Sequence, residues 1–189
     1  MDLQENKTRV VVKRDGSIEP FDATKIERWA EYAAKHNVNW KGVAINVISR
    51  LPMRVKTEEI HQVMVDYCLA QDNLRYSRVA TRLVYAQLRK NMQRELGVTD
   101  RSKIYDIVYA LWNAGPWSYE VLKAVGDNEE LVQQWYEEIF PVHLESWQVM
   151  QWADKYAIKK DGIPVETPHV GALGIAIAIH GVTDEAFRL

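Results

Sequence analysis

The chain has 189 residues, of which 47% are hydrophobic and 26% are charged, so it can bury a core as one large or two small domains. This composition excludes collagen-like, coiled-coil and disordered chains. The formal net charge of −2 argues against a surface that coats nucleic acid or an anionic membrane. The start of the chain lacks a long apolar run, and no segment reaches the roughly 18 apolar residues of a membrane span. We therefore expect a cytoplasmic protein with neither nucleic acid nor membrane as a partner.

Charge is distributed unevenly along the chain. Residues 1–95 contain 17 Lys and Arg against 12 Asp and Glu, whereas residues 96–189 contain 7 against 14. The first half therefore has a net charge of +5 and the second half a net charge of −7. A basic first half suits a polyanionic ligand, although the excess is small for its length.

The first half is predicted to combine a small sheet with helices. Residues 9–21 place β-branched residues on both sides of Asp15-Gly16, a dipeptide typical of a tight hairpin turn. Asp22 is then expected to cap the first helix, and Pro52 to follow the end of the second. Residues 54–56 are short and extended enough for a third strand. The predicted helices cover residues 23–36, 40–51, 57–71 and 76–95, with Thr57 as the cap of the third. The predicted fold is mainly α, a four-helix bundle capped by a three-stranded β-sheet.

The second half is predicted to be another helical region with a short β-hairpin. Its helices are expected at residues 103–113, 119–125, 128–139 and 146–151, and the hairpin at 155–166 around a second Asp-Gly pair. Residues 170–179 are all apolar or glycine, so a helix here should be buried on all sides. Ten residues are too few to span a membrane, so protein should cover this helix. We take this as an indication that the polypeptide is the beginning of something larger.

The chain has one cysteine, Cys68. It therefore has no intramolecular disulfide and no four-cysteine zinc site, and chemistry that needs a redox-active thiol pair plus a third thiol requires a partner chain. His143, His169 and His180 lack acidic or cysteine partners at metal-ligand spacing. We predict no catalytic residues and no metal ligands in this chain.

Four cations are candidates for a triphosphate site. Lys13 and Arg14 lie in the predicted hairpin turn, Lys25 in the first turn of the first helix, and Lys90 near the end of the fourth. If they converge on one face, they can meet phosphate oxygens together with backbone N–H groups. Alternatively they are solvated surface residues, as most Lys and Arg are.

A second set of residues has the chemistry to hold a base and a sugar. Thr57, Ile60 and His61 are spaced to lie on one stripe of the third helix. Glu19 and Asp22 could accept hydrogen bonds from a base amino group or a ribose hydroxyl. The alternatives are a capping threonine with a structural histidine, a hairpin surface charge and an N-cap.

These residues lead to a resemblance. The runs VVKRDGSIEPFDATKI, KTEEIH and RVATRLVYAQLRK resemble the ATP-cone, the allosteric nucleotide-binding domain at the N-terminus of many ribonucleotide reductase large subunits. The resemblance covers residues 9–95 after a tail at 1–8, and implies ATP or dATP as the effector, with Mg²⁺. Position by position, it implies that the nucleotide site is lined by Val11, Lys13, Arg14, Glu19, Asp22, Lys25, Ile26, Thr57, Ile60, His61 and Lys90.

Residues 96–189 resemble the same enzyme more faintly. DRSKIYDIVYALWNAG and KYAIKKDGIPVETPHVGALGIAIAIHGVTDEAFRL look like the helical region between the cone and the catalytic barrel of an aerobic two-subunit reductase. In that family the barrel supplies the radical cysteine and two redox cysteines. The resemblance therefore implies a split or truncated N-terminal segment that is inactive alone. Its partners would be the rest of the large subunit and the radical-generating small subunit, with possible self-association.

The resemblance also implies a regulatory mechanism, and two alternatives remain beside it. In the family, ATP in the cone permits activity, and dATP in many members inhibits by changing subunit assembly; Asp22 and His61 are our candidates near the discriminating ribose. One alternative is a nucleotide-sensing transcriptional repressor, although that family places a zinc ribbon before its cone. The other is a non-catalytic scaffold that acts on reductase subunits.

Overall fold

In a computed structural model of the chain, residues 9–35, 38–99, 101–115, 117–139 and 144–183 are described. The chain divides into two units, Met1–Val84 and Tyr85–Leu189. Each unit has its own hydrophobic core. The expected mainly helical fold with a three-stranded sheet and a short second hairpin is confirmed.

The first unit contains a mixed sheet and four helices, the last of which continues into the second unit. The strands are β1 (Val10–Val12), β2 (Ile18–Pro20) and β3 (Arg54–Lys56), and the helices are α1 (Ala23–Ala34), α2 (Trp40–Arg50), α3 (Thr57–Leu69) and α4 (Leu74–Leu96). Strand β1 is central, antiparallel to β2 and parallel to β3. The register pairs Val11 with Glu19 on one side and with Val55 on the other.

Local signals explain where these helices begin and end. The Asp22 carboxylate accepts a hydrogen bond from Thr24 N–H at 2.9 Å, which confirms the predicted N-cap of α1. Helix α1 ends at Ala34, before the left-handed Lys35, and the predicted end at His36 lies outside the described residues. Helix α4 begins two residues earlier than predicted because the Asn73 side chain accepts from Arg75 N–H at 2.8 Å.

The core of the first unit lies where α1, α2, α3 and α4 face one another. Ala30 and Ala33 of α1 are fully buried, and their small side chains allow the close approach of neighbouring helices. Val43 and Val47 of α2 fill the adjacent layer. The Arg82 guanidinium donates to the Ala33 carbonyl and so satisfies one of the acceptors at the end of α1.

The second unit contains the rest of α4 and a further set of helices with one small hairpin. Its elements are α5 (Ile104–Asn113), α6 (Tyr119–Asp127), α7 (Glu129–Ile139), α8 (Ser146–Gln151), a π-helical turn at Trp152–Tyr156, β4 (Lys159–Lys160), β5 (Ile163–Pro164) and α9 (Pro168–His180). Strands β4 and β5 form the predicted second hairpin. Ile104, Leu111, Val132 and Val170 are among the residues that form its core.

Helix α9 corrects one expectation. It was predicted to be buried on all sides, yet Ile175 and Ile179 are 54% and 68% exposed. Ile175 and Ile179 lie four residues apart on one face, whereas Gly171 and Gly174 lie on the neighbouring packed face, where they admit tryptophan rings. A Cβ at Gly171 would lie 2.0 Å from Trp152, and one at Gly174 would lie 2.2 Å from Trp117. The helix is therefore packed on its glycine side and open on an apolar stripe.

Two further observations bear on function. Over the described residues, none of the helices combines the length and the apolar character needed to cross a membrane. Within the same ranges, no three His, Cys, Asp or Glu side chains are grouped so that they could hold a metal ion. His143, which was not predicted to bind a metal, lies outside the described residues.

Candidate functional site

The tip of the first hairpin is a fixed turn. Lys13 N–H donates to the Ser17 carbonyl at 2.8 Å, and Gly16 N–H donates to the Lys13 carbonyl at 3.0 Å. Gly16 has a φ of +83°, which glycine adopts without steric cost. The Asp15 carboxylate accepts from both Ser17 N–H and Ser17 Oγ, and these bonds lower the pKa of Asp15. The turn therefore holds Lys13 and Arg14 at a defined place on the surface.

Two of the predicted phosphate-binding lysines meet at one carboxylate. Lys13 Nζ lies 2.8 Å from Glu19 Oε1, and Lys25 Nζ lies 2.9 Å from the same oxygen. The hydrogen bond from Lys13, followed by that from Lys25, holds the pKa of Glu19 below its ordinary value, and Glu19 in turn raises the pKa of Lys25. All three side chains remain partly exposed. The hairpin and the first turn of α1 thus place two ammonium groups side by side at the surface.

The start of α3 adjoins the same hairpin. Arg14 Nε lies 2.7 Å from Glu58 Oε1, and Thr57 Oγ1 donates to the Val12 carbonyl at 3.4 Å. The expectation that Thr57 caps α3 is wrong: Thr57 is the first helical residue and Lys56 is the N-cap. The Lys56 N–H donates to Glu59 Oε2 at 2.9 Å, so an acidic side chain from the first turn satisfies the backbone there. The Thr57 hydroxyl is instead directed to β1.

His61 lies one turn further along α3 and is half-buried. Its Nε2 lies 3.0 Å from the Leu83 carbonyl oxygen, and since a carbonyl can only accept, Nε2 carries the proton. The imidazole ring meets the Trp29 indole edge-on, with ring centroids 6.1 Å apart. These contacts fix the ring plane of His61 on the inner flank of α3.

The remaining residues of the predicted site take different positions. Val11 and Ile26 are 6% and 4% exposed and belong to the core of the first unit, and Ile60 packs against the same core. Asp22 is the N-cap of α1, and its hydrogen bonds with Thr24 lower the pKa of the carboxyl group. Lys90 lies on the part of α4 that belongs to the second unit. The other ten predicted site residues all belong to the first unit.

Two residues that the sequence did not single out belong to this region. Glu58, in the first turn of α3, pairs with Arg14. Trp29, on α1, contacts His61 with its ring. The sequence signals were the acidic pair at the start of α3, and the spacing of Trp29 three residues after Ile26 on α1.

The arrangement can bind an anion by exchange. Lys13, Lys25 and Arg14 are held at the surface by Glu19 and Glu58 rather than by buried partners. Exposed ion pairs of this kind contribute little to stability, so their cations can turn to phosphate oxygens at small cost. The α3 flank lies in the same unit, with the His61 ring against Trp29 and the Thr57 hydroxyl against the Val12 carbonyl.

Parts of the chain are similar to known proteins. Residues 9–91 match the family model of the ATP cone domain, so the chain contains an ATP-cone. The chain is also similar to ribonucleoside-diphosphate reductase 1 subunit alpha of Escherichia coli (strain K12), with 28% identity over 129 residues. That similarity covers 66% of this chain, and the chain spans 17% of the length of that relative.

Proposed function

We propose that the chain binds ATP and dATP in its cone and is the allosteric regulatory segment of an aerobic ribonucleoside-diphosphate reductase large subunit. The observation that carries this proposal is the shared contact of Lys13 and Lys25 with Glu19, inside the part of the chain that matches the ATP-cone. The similarity to a reductase alpha subunit supports the enzyme system.

In the proposed complex, the phosphates lie against the hairpin and the start of α1. Lys13, Arg14 and Lys25 exchange their carboxylate partners for phosphate oxygens, with Mg²⁺ as a counter-ion of the triphosphate. The Glu19 carboxylate then accepts a hydrogen bond from the base amino group or from a ribose hydroxyl.

The base and sugar lie in this proposal against the flank of α3. Thr57, Ile60 and His61 line that side, and Val11 and Ile26 form the floor beneath them. ATP and dATP differ by one hydroxyl, and a hydrogen bond to that group is worth about 1 kcal/mol net. We infer that Asp22 and His61 lie near the ribose and discriminate between ATP and dATP by this hydroxyl.

Regulation in this proposal works by linkage. A nucleotide changes the assembly of subunits only by its different affinity for the assembled and unassembled states. Catalysis belongs to the reductase barrel, whose chemistry needs three cysteines, whereas this chain has one. The proposed partners are therefore that barrel, the radical-generating small subunit and a second copy of the chain, in the cytoplasm.

The proposal is tested by calorimetric titration of the full chain with ATP and with dATP in the presence of Mg²⁺. We expect both to bind, and we expect Lys13→Gln and Lys25→Gln each to weaken binding by about tenfold, since each removes a charge-assisted contact. Lys41→Gln is the matched control, because Lys41 is an exposed lysine of the same unit that lies over Trp40 on α2. Its affinity should equal that of the unmodified chain.

Three results would contradict the proposal. Absence of binding by either nucleotide would remove the cone function and leave a scaffold that acts on reductase subunits. Equal losses in the Lys41 and Lys13 variants would show that binding is not localised at the hairpin. Mixing with the catalytic barrel and the small subunit should give a nucleotide-dependent assembly, and its failure would remove the reductase assignment.

A further inference from the structure

The second unit contains a cavity that none of the predicted nucleotide-site residues lines. Its volume is about 490 Å³, and it lies between the end of α4, the loop to α5, the start of α5 and the side of α7. Small-molecule sites usually have volumes of about 300–1,000 Å³. The cavity is therefore large enough for a ligand the size of a nucleotide.

The lining of the cavity is rich in positive charge. Arg89, Arg101 and Lys103 contribute cations, and Glu137 is the carboxylate among the described lining residues. Lys103 Nζ also lies 3.2 Å from Glu129 Oε1, but both side chains are well exposed, so this pair is weak and exchangeable. Cations thus outnumber carboxylates among the described lining residues, which favours an anionic ligand.

The loop that carries Arg101 is held by its own hydrogen bonds. Thr99 N–H donates to Ser102 Oγ at 2.9 Å, and Arg101 N–H donates to Thr99 Oγ1 at 3.2 Å. Across the cavity, the Gln133 side chain accepts from Ile104 N–H at 2.8 Å, which ties α7 to the start of α5. The walls are thus arranged before any ligand arrives, which lowers the entropic cost of binding.

The lining also has an apolar part. Met92, Val98 and Ile107 are almost fully buried and belong to the core of the second unit, and the Tyr136 ring lies beside them. An inorganic anion would use only the cations, whereas an organic phosphate would use both parts of the wall.

From this juxtaposition we propose that the cavity binds an organic phosphate of about nucleotide size. Arg89 and Arg101 contact the phosphate oxygens, and Met92, Ile107 and Tyr136 contact the organic body. The site is additional to the proposed cone site and goes beyond the proposed function. It gives the second unit a ligand-binding role of its own.

The test is two-dimensional ¹H–¹⁵N NMR of the full chain, titrated separately with ATP and with pyrophosphate. We expect ATP to shift the amides of Thr99, Ser102 and Lys103, with saturation near or below about 1 mM. Pyrophosphate should bind at least about tenfold more weakly, because it lacks an organic body. The Gly16 and Thr57 amides report the cone in the same spectra, so failure of one site is distinguishable from failure of the other.

Variants with opposite expected signs complete the test. The double variant Arg89→Gln, Arg101→Gln should weaken the affinity for ATP, measured at the Thr99 amide, by about tenfold or more. If the double variant fails to fold, Arg101→Gln alone takes its place. Glu137→Gln should increase the affinity for ATP a few-fold, because the substitution removes a negative charge from the cavity. Arg94→Gln is the matched control on α4, since Arg94 does not line the cavity and pairs with the neighbouring Glu95.

Three outcomes would overturn the proposal. They are the absence of shifts at Thr99 and Ser102, equal affinities for ATP and pyrophosphate, and affinities that none of the cavity variants alters.

Discussion

Lys25 Nζ lies 2.9 Å from Glu19 Oε1, so the first turn of α1 is joined by an ion pair to strand β2. Lys13 approaches the same oxygen from the other end of the hairpin. The carboxylate therefore occupies the space between two cations that we assign to a triphosphate. This relationship makes Glu19 the residue whose replacement best tests the charge balance of the cone.

Glu19→Gln should tighten ATP binding by about threefold at low ionic strength, because it removes a negative charge beside the phosphates while keeping an acceptor for the base or ribose. Calorimetric titration at two salt concentrations measures this, and the gain should shrink at the higher one. Glu27→Gln, an exposed change on α1, is the control. Weaker binding by the Glu19 variant would show that the carboxylate is needed to position the lysines.

Cys68 should be inert in the folded chain. It is fully buried, and burial raises the pKa of its thiol to about 12. Because the thiolate is the reactive form, an aromatic disulfide reagent at pH 8 should label the folded chain at least about a hundredfold more slowly than the chain in urea. Rapid labelling under native conditions would mean that the core of the first unit opens readily.

Glu166 should make the second unit more stable at acidic than at neutral pH. Its side chain is 4% exposed, accepts from Ile158 N–H and from the Trp117 indole, and burial raises its pKa above the ordinary 4.5. The folded state therefore binds this proton more tightly than the unfolded state does. Its contribution is fully present below about pH 4.5 and is lost as the pH rises through the folded-state pKa.

Urea unfolding between pH 4.5 and pH 8 measures this contribution, whose slope is at most about 1.4 kcal/mol per pH unit. Glu166→Gln should flatten the pH dependence, because the amide does not titrate. Glu138→Gln, an exposed change on α7, should leave the slope as it is. An unchanged slope in the Glu166 variant would assign the pH dependence to other groups.

Gly171→Ala and Gly174→Ala should each lower the free energy of unfolding by about 1–3 kcal/mol, the usual cost of overpacking. The added methyl group would collide with the Trp152 and Trp117 rings, respectively. Ala172→Ser on the exposed side of α9 is the control, with an expected change below about 0.5 kcal/mol. Thermal unfolding followed by near-UV circular dichroism reads both stability and tryptophan packing. Glycine variants as stable as the control would contradict the described packing.

Sequence predicted most of the fold because its signals there are local. Asp15-Gly16 and Asp22 set the first turn and the first cap by contacts within two residues, and both are confirmed. Pro52 follows α2 as expected. Thr57 was misassigned because its partner, the Val12 carbonyl, is remote in the chain.

The rest depended on tertiary contacts that no local pattern records. The all-apolar run in α9 could not show that Gly171 and Gly174 take the packed side while Ile175 is exposed. Within the candidate site, the sequence predicted that the hairpin carries cations. It did not predict that Arg14 forms an ion pair with Glu58. The cavity beside Arg101 is lined by segments that are distant in sequence, and only the fold of the second unit brings them together.

The central position of β1 has a consequence for the order of folding. Its parallel partner, β3, is separated from it by both α1 and α2, so Val10 and Arg54 pair only after a long loop has closed. The antiparallel hairpin with β2 needs only a short loop, and pairing between residues near in sequence is kinetically favoured. We therefore expect the hairpin to form early and the third strand to be added late, so that the cone becomes competent for ligands only in the final step of folding.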